Sequence, residues 1–127
     1  MPKKFRSLSL LSLACALGAN CGSGESSMSE TEACIDLDNT YCDKIFNCFT
    51  KEELASVQNQ YGLNATDCKT KLHAQDCNPD AVKCDLGKTY HPDKAAECVS
   101  LFKGLSCNDL RTDPLPIPAA CDLMCSK

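Results

Sequence analysis

The chain has 127 residues with twelve cysteines, no tryptophan, and seventeen acidic against thirteen Lys and Arg side chains, a net charge of −4. That length is one domain's worth, and past residue 20 no apolar stretch approaches what a bilayer crossing needs. The acidic balance is repelled by phosphate backbones and anionic lipid surfaces, which disfavours nucleic acid as a partner.

The N-terminus stands apart. Met1-Pro2-Lys3-Lys4-Phe5-Arg6 is basic, Leu8 to Ala19 carries no charge, and Gly and Ser follow from Gly22. Basic, apolar and small residues in that order make residues 1–20 a signal peptide, with an apolar run too short for a comfortable membrane span. A buried first helix would have no polar face.

Two cleavages are open. Ala16-Leu17-Gly18 suits ordinary signal peptidase. Leu17-Gly18-Ala19-Asn20-Cys21 resembles a bacterial lipobox ending on an acylated cysteine, although its Leu sits one place too far back and Asn20 replaces a small residue. Residues 21–30, opening Cys21-Gly22-Ser23-Gly24-Glu25-Ser26-Ser27, suit a flexible tether behind a lipid anchor. Lipid on Cys21 also leaves ten cysteines, which can pair completely. Tether and parity favour lipidation at Cys21 over free secretion. Removing the signal takes away three basic residues and no acidic ones, so the mature charge falls to −7.

The remaining chain, residues 31–127, reads as a helical domain whose order begins near Ser29. Ser29-Glu30-Thr31-Glu32 has the form of a capping box, and Tyr41, Cys42, Ile45, Cys48 and Phe49 share one helical face. Thr50-Lys51-Glu52-Glu53 is a second box, opening a helix that ends at Tyr61-Gly62. Asn64-Ala65-Thr66-Asp67 starts a third helix running through Cys68 and Leu72 toward Cys77. Asn78-Pro79 predicts a short helix through Cys84, ended by Gly87. His91-Pro92-Asp93 opens a helix with the apolar stripe Ala95, Cys98, Val99, Phe102 and Leu105, with Lys94 and Lys103 off it. Pro114-Leu115-Pro116-Ile117-Pro118 reads as an extended strap, and a last turn carries Cys121 and Cys125. No segment alternates long enough to be a strand. The expected fold class is all-α, a small disulfide-stapled domain. Cys68 to Cys77 and Cys98 to Cys107 share one spacing, which fits either a duplicated unit or a repeated way of tying a helix at both ends.

Ten cysteines in this space are a disulfide scaffold: Cys34, Cys42, Cys48, Cys68, Cys77, Cys84, Cys98, Cys107, Cys121 and Cys125. Zinc and dithiol redox sites want Cys-x2-Cys pairs or neighbouring histidines. The one close pair is Cys121-x3-Cys125, and His73 and His91 stand far apart. No metal and no cofactor are expected. The mature chain has six aromatic residues, a light core at about 25 cal/mol per Å² buried, which disulfides worth about 2–4 kcal/mol each can offset. Helical geometry proposes nested bridges Cys48–Cys68 and Cys42–Cys77 between antiparallel helices. Cys98 and Cys107 are expected to bond into the C-terminal strap through Cys121 or Cys125, leaving Cys34 and Cys84 nearby.

No nucleophile elbow, phosphate loop or His-Glu-x-x-His is present, so no catalytic residue is proposed and the chain reads as a non-enzyme. Asp36-Leu37-Asp38-Asn39 lacks the glycine and distant glutamate of a calcium loop and reads as a solvated helical face. His73 reads as an exposed helix residue and His91 as a cap residue. Asn64-Ala65-Thr66 is a glycosylation sequon, relevant only in a eukaryote.

The run Tyr41-Cys42-Asp43-Lys44-Ile45-Phe46-Asn47-Cys48 resembles the first helix of small cysteine-rich lipoproteins of myxobacterial type. So do Pro92 followed by Cys98, Ser106-Cys107-Asn108-Asp109-Leu110 and Pro118-Ala119-Ala120-Cys121. The similarity covers most of the mature domain and rests on cysteine spacing. It implies location and architecture and carries over no activity; the lipobox before Cys21 is its departure. The expectation is an exported binding or structural module of the bacterial cell envelope, in the outer membrane or periplasm if Cys21 is acylated and otherwise extracellular. Its partner would be a protein or envelope component, and it would meet membrane only through lipid. The alternative is a freely secreted stapled inhibitor or effector.

Lipidation has a direct check. The mature protein is expected to partition into detergent with a diacylglyceryl mass on Cys21, and Cys21→Ser should release it. A soluble form beginning at Ala19 would contradict the anchor.

Overall fold

A computed structural model describes residues 28–127 of the chain. The signal segment 1–20, Cys21 and the tether as far as Ser27 lie outside the described residues. Helix α1 (Glu30–Cys48) starts where Ser29 Oγ accepts the Glu32 N–H and Glu32 Oε2 accepts the Ser29 N–H, at 3.2 and 2.8 Å. This box satisfies two donors that a helix start leaves without partners. Glu30, the last residue of the expected tether, is therefore already helical.

Thr50 and Glu53 repeat the arrangement for α2 (Lys51–Tyr61). Gly62 stops it at φ +85°, a left-handed conformation that glycine tolerates. A Cβ at Gly62 would also stand 2.6 Å from Asp67 Cβ, so both backbone and space require glycine. Asn64 Oδ1 then accepts the Asp67 N–H at 2.9 Å and opens α3 (Ala65–Asp76), which ends at Cys77. Helix α4 (Pro92–Lys103) begins with proline at its first position, where no donor is lost, and buries Ala95, Cys98, Val99 and Phe102. All four lie on the predicted stripe; Leu105 follows the helix and is half-buried.

Helix α1 packs against both α3 and α4. Cys42, Cys68 and Leu72 form a buried cluster flanked by Tyr41, Phe46 and Tyr61. Tyr41 meets Tyr61 edge-on at 5.6 Å, with their hydroxyls 3.0 Å apart, and meets Phe102 of α4 at 6.3 Å. Burial, helped by the Tyr61 hydroxyl, pushes the Tyr41 phenol up from its ordinary pKa. The described chain is thus mostly helical and disulfide-stapled.

Two local expectations fail. The predicted helix from Pro79 to Cys84 is only a turn. Asn78 Oδ1 accepts the Asp80 and Ala81 N–H groups, and Val82 N–H reaches Asn78 O, but Cys84 N–H goes to Glu30 Oε1 instead of continuing a ladder. A tertiary partner takes the donor that the next helical bond needs. There is also a short sheet, β1 (Thr89–Tyr90) antiparallel to β2 (Cys125–Ser126), with Tyr90 opposite Cys125. Two residues are too few to show alternation in sequence. The strap after Pro114 holds no helix or strand as far as Pro118, which leads into the short helix α5 (Ala119–Asp122).

The ten cysteines form Cys34–Cys77, Cys42–Cys68, Cys48–Cys107, Cys84–Cys125 and Cys98–Cys121, with Cα atoms 4.8 to 5.7 Å apart. The expected Cys48–Cys68 and Cys42–Cys77 bridges are absent. Helices α1 and α3 are antiparallel as supposed, but the rungs are shifted: Cys34 joins Cys77 and Cys42 joins Cys68. Because α1 reaches back to Glu30, Cys34 lies on the same rod. Its eight-residue interval to Cys42 nearly matches the nine from Cys68 to Cys77, about 12 against 13.5 Å at 1.5 Å per residue. Cys48 is thereby freed for Cys107, whose expected partner was Cys121 or Cys125. Cys98 does bond to Cys121, while Cys34 and Cys84 take separate partners.

Beside Cys48–Cys107 sits a clamp that sequence reasoning missed. Arg111, in a 3-10 turn (Asp109–Arg111) capped by Ser106, donates to Glu53 Oε1 and Oε2 at 2.9 and 3.1 Å. It also donates to the carbonyls of Cys107 and Cys48 and lies 5.4 Å from the Phe49 ring. The Arg111 hydrogen bonds, then the Thr50 N–H, hold the Glu53 carboxyl down at about 2. A depressed carboxyl stabilises the fold above its unfolded pKa of about 4.3, and that contribution is lost as pH falls toward 2. In thermal melts, Glu53→Gln should therefore be less stable than wild type at pH 6, with the difference vanishing near pH 2.

Candidate functional site

Glu30, Cys34, Leu37 and Asp38 recur at helical spacing and present one face of the first turns of α1. Opposite them stand Val82, Tyr90, Met124 and Cys125, and between the two sets is an open cleft of about 240 Å³. Its wall is mainly apolar, and among the described residues no Lys or Arg lines it. A dry cavity of about 150 Å³ can take up benzene, so this one has room for a small organic group.

The far wall exists because two distant segments are pinned together. Cys84–Cys125 joins the 79–88 loop to the C-terminus, and β1 pairs with β2. His91 N–H donates to Met124 O at 2.8 Å, and Tyr90 hydroxyl donates to Met28 O at 2.9 Å. Burial first, then the charges of Glu30 and Glu32, push the Tyr90 phenol up from its ordinary pKa, a sign of negative potential at this end.

Each carboxylate of the cleft lies beside a disulfide. Glu30 groups with Cys84 and Cys125, and Asp38 with Cys34 and Cys77; within each group the ligand-type atoms lie within 4.8 Å. Metal ligation by cysteine needs a thiolate, and these four sulfurs are oxidised into disulfides. The groups are therefore carboxylates against cystines.

Asp38 is the unusual member. Its Oδ2 lies 3.0 Å from Cys77 Sγ, but a disulfide sulfur has no proton to donate. No N–H or O–H donor reaches the carboxylate among the described residues. Burial, and secondarily the negative charge of Asp76, push the Asp38 carboxyl up to about 6, with His73 opposing. Glu30, by contrast, accepts the Cys84 N–H at 3.3 Å.

Sequence reasoning placed Asp38 on a solvated face, but it is half-buried because α3 and the Cys34–Cys77 bridge close over it. His73, expected to be exposed, is half-buried, and its Nε2 has no partner among the described residues. His91 does occupy a cap position, without a side-chain cap bond. Leu37, Val82, Tyr90 and Met124 carried no sequence signal as a set. Only their meeting defines the cleft.

Comparisons with protein families, curated proteins and solved structures find no match to this chain. Among the described residues, no helix is long and apolar enough to cross a membrane. Five disulfides in a domain this small point to an oxidising, extracytoplasmic compartment.

A raised folded-state pKa means stability that is fully present below the unfolded value, about 3.9, and lost as pH rises through about 6. Asp38→Asn should thus match wild type below pH 4 and exceed it at pH 7 by about 1 kcal/mol, allowing for solvent screening of a partly exposed group. Urea titrations at the two pH values check both the sign and the window.

Proposed function

We propose that this chain is an exported binding module of the bacterial cell envelope, held to membrane by lipid on Cys21, which takes up its ligand in the cleft between α1 and the β1–β2 pair. The observation that carries this reading is the cleft's construction. An apolar hollow with two carboxylates is held between the Cys34–Cys77 and Cys84–Cys125 bridges. Few polar groups in a mainly apolar hollow is the usual make-up of a small-ligand site. Walls fixed by covalent bonds lose little freedom on binding, which favours affinity. The resemblance to small cysteine-rich envelope lipoproteins and the Gly- and Ser-rich sequence behind Cys21 support the location.

A freely secreted inhibitor or effector is the second reading, favoured by the Pro114–Pro118 strap. It runs between the bridged residues Cys107 and Cys121, with Ile117 about half exposed.

Amide spectra recorded while cell-envelope extract is titrated in distinguish the two. Binding in the cleft should shift Leu37, Val82, Tyr90 and Met124, and Leu37→Arg should abolish those shifts. Shifts confined to residues 112–118 would favour the inhibitor. A spectrum that does not change would overturn the binding module.

A further inference from the structure

We propose that the ligand of this cleft is an organic cation, an ammonium group on an apolar body, whose charge is received by Asp38. This rests on the cleft being a binding site, and it adds the chemistry of what enters. Leu37, Val82, Tyr90 and Met124 offer a surface for an aliphatic or aromatic body. At one side stands a carboxylate that no N–H or O–H donor reaches among the described residues, with a disulfide sulfur that cannot donate 3.0 Å away.

Charge argues in the same direction. Glu30 and Asp38 line the hollow, Glu32 and Asp76 add negative field nearby, and among the described residues the lining holds no basic side chain to compete. An anionic ligand would meet repulsion from every ionised group in the wall. A neutral one would leave the Asp38 carboxylate desolvated and without a donor, which is costly. An ammonium supplies up to three donors and the opposite charge, so it restores what folding removed from Asp38.

The groups facing Asp38 are Glu30 on its own helix, His73 and Asp76 on α3, and Tyr90 across the cleft. Among them, Asp38 changes charge at about pH 6, held there by burial and by Asp76. An ammonium ligand binds the ionised form, so its affinity should follow the ionised fraction of Asp38. That fraction rises by about tenfold between pH 5 and pH 7 for a group titrating near 6.

The experiment uses the exported, disulfide-intact protein and three probes of one length: hexylammonium, hexan-1-ol and hexanoate. Amide shifts at Leu37, Val82, Tyr90 and Met124 report the site. Hexylammonium should bind at least tenfold more tightly than hexanol at pH 7, hexanoate should be the weakest, and the hexylammonium affinity should rise by about tenfold from pH 5 to pH 7. Asp38→Asn should remove both the preference and the pH dependence while hexanol still binds. His73→Gln should keep the pH dependence, and Asp76→Asn should move its midpoint to lower pH. Equal binding of hexanol and hexylammonium at every pH would overturn the cation while leaving the cleft a binding site. A pH dependence lost in His73→Gln and kept in Asp38→Asn would overturn the role of Asp38. Failure of all three probes to shift the cleft would overturn both readings together.

Discussion

Helix α1 carries three half-cystines, Cys34, Cys42 and Cys48, and the arrangement of everything else follows from where they reach. Two of them bind α3 in an antiparallel pair of rungs, and the third holds the turn after α4. A disulfide acts chiefly by restricting the unfolded chain, and these three close loops of 26 to 59 residues. The hydrophobic core they assist is small. Its largest fully buried side chains are Ile45 and three half-cystines. Sulfur therefore serves as both staple and core filling, and polar clamps such as Arg111 on Glu53 complete the corners.

The cleft is a consequence of the same economy. A larger hydrophobic core would have packed the 79–88 loop and the C-terminus tightly onto α1. Here Cys84–Cys125 ties these two segments to each other, and Cys84 N–H donates to Glu30 of α1. A hollow is left between. Its acidity has a separate origin in α1 itself, where Glu30 serves the first turn, favoured by the helix dipole, and Asp38 falls two turns later on the same side.

Much of the fold was legible before any coordinates. Both capping boxes, the stop at Gly62, the Asn64 cap and the Pro92 start are local chemistry, each written within four residues. The stripe on α4 is legible because a 3.6-residue period needs only one helix to be seen. Residues 79–84 were misread since Asn-Pro is a helix start only when later donors stay within the segment. Cys84 N–H leaves for Glu30, a residue more than fifty positions away.

Composition, spacing and capping thus determined that this chain is helical and built on ten cysteines that pair with one another. Those properties arise from side chains close together in sequence. Tertiary structure alone decided which cysteine meets which, because the pairing depends on the length of α1 and its axial offset from α3. It also decided that Asp38 faces a hollow instead of solvent. A carboxylate on a helix looks the same in sequence on either face, and the burial and charge that perturb it come with α3 and the Cys34–Cys77 bridge, brought to it only by folding.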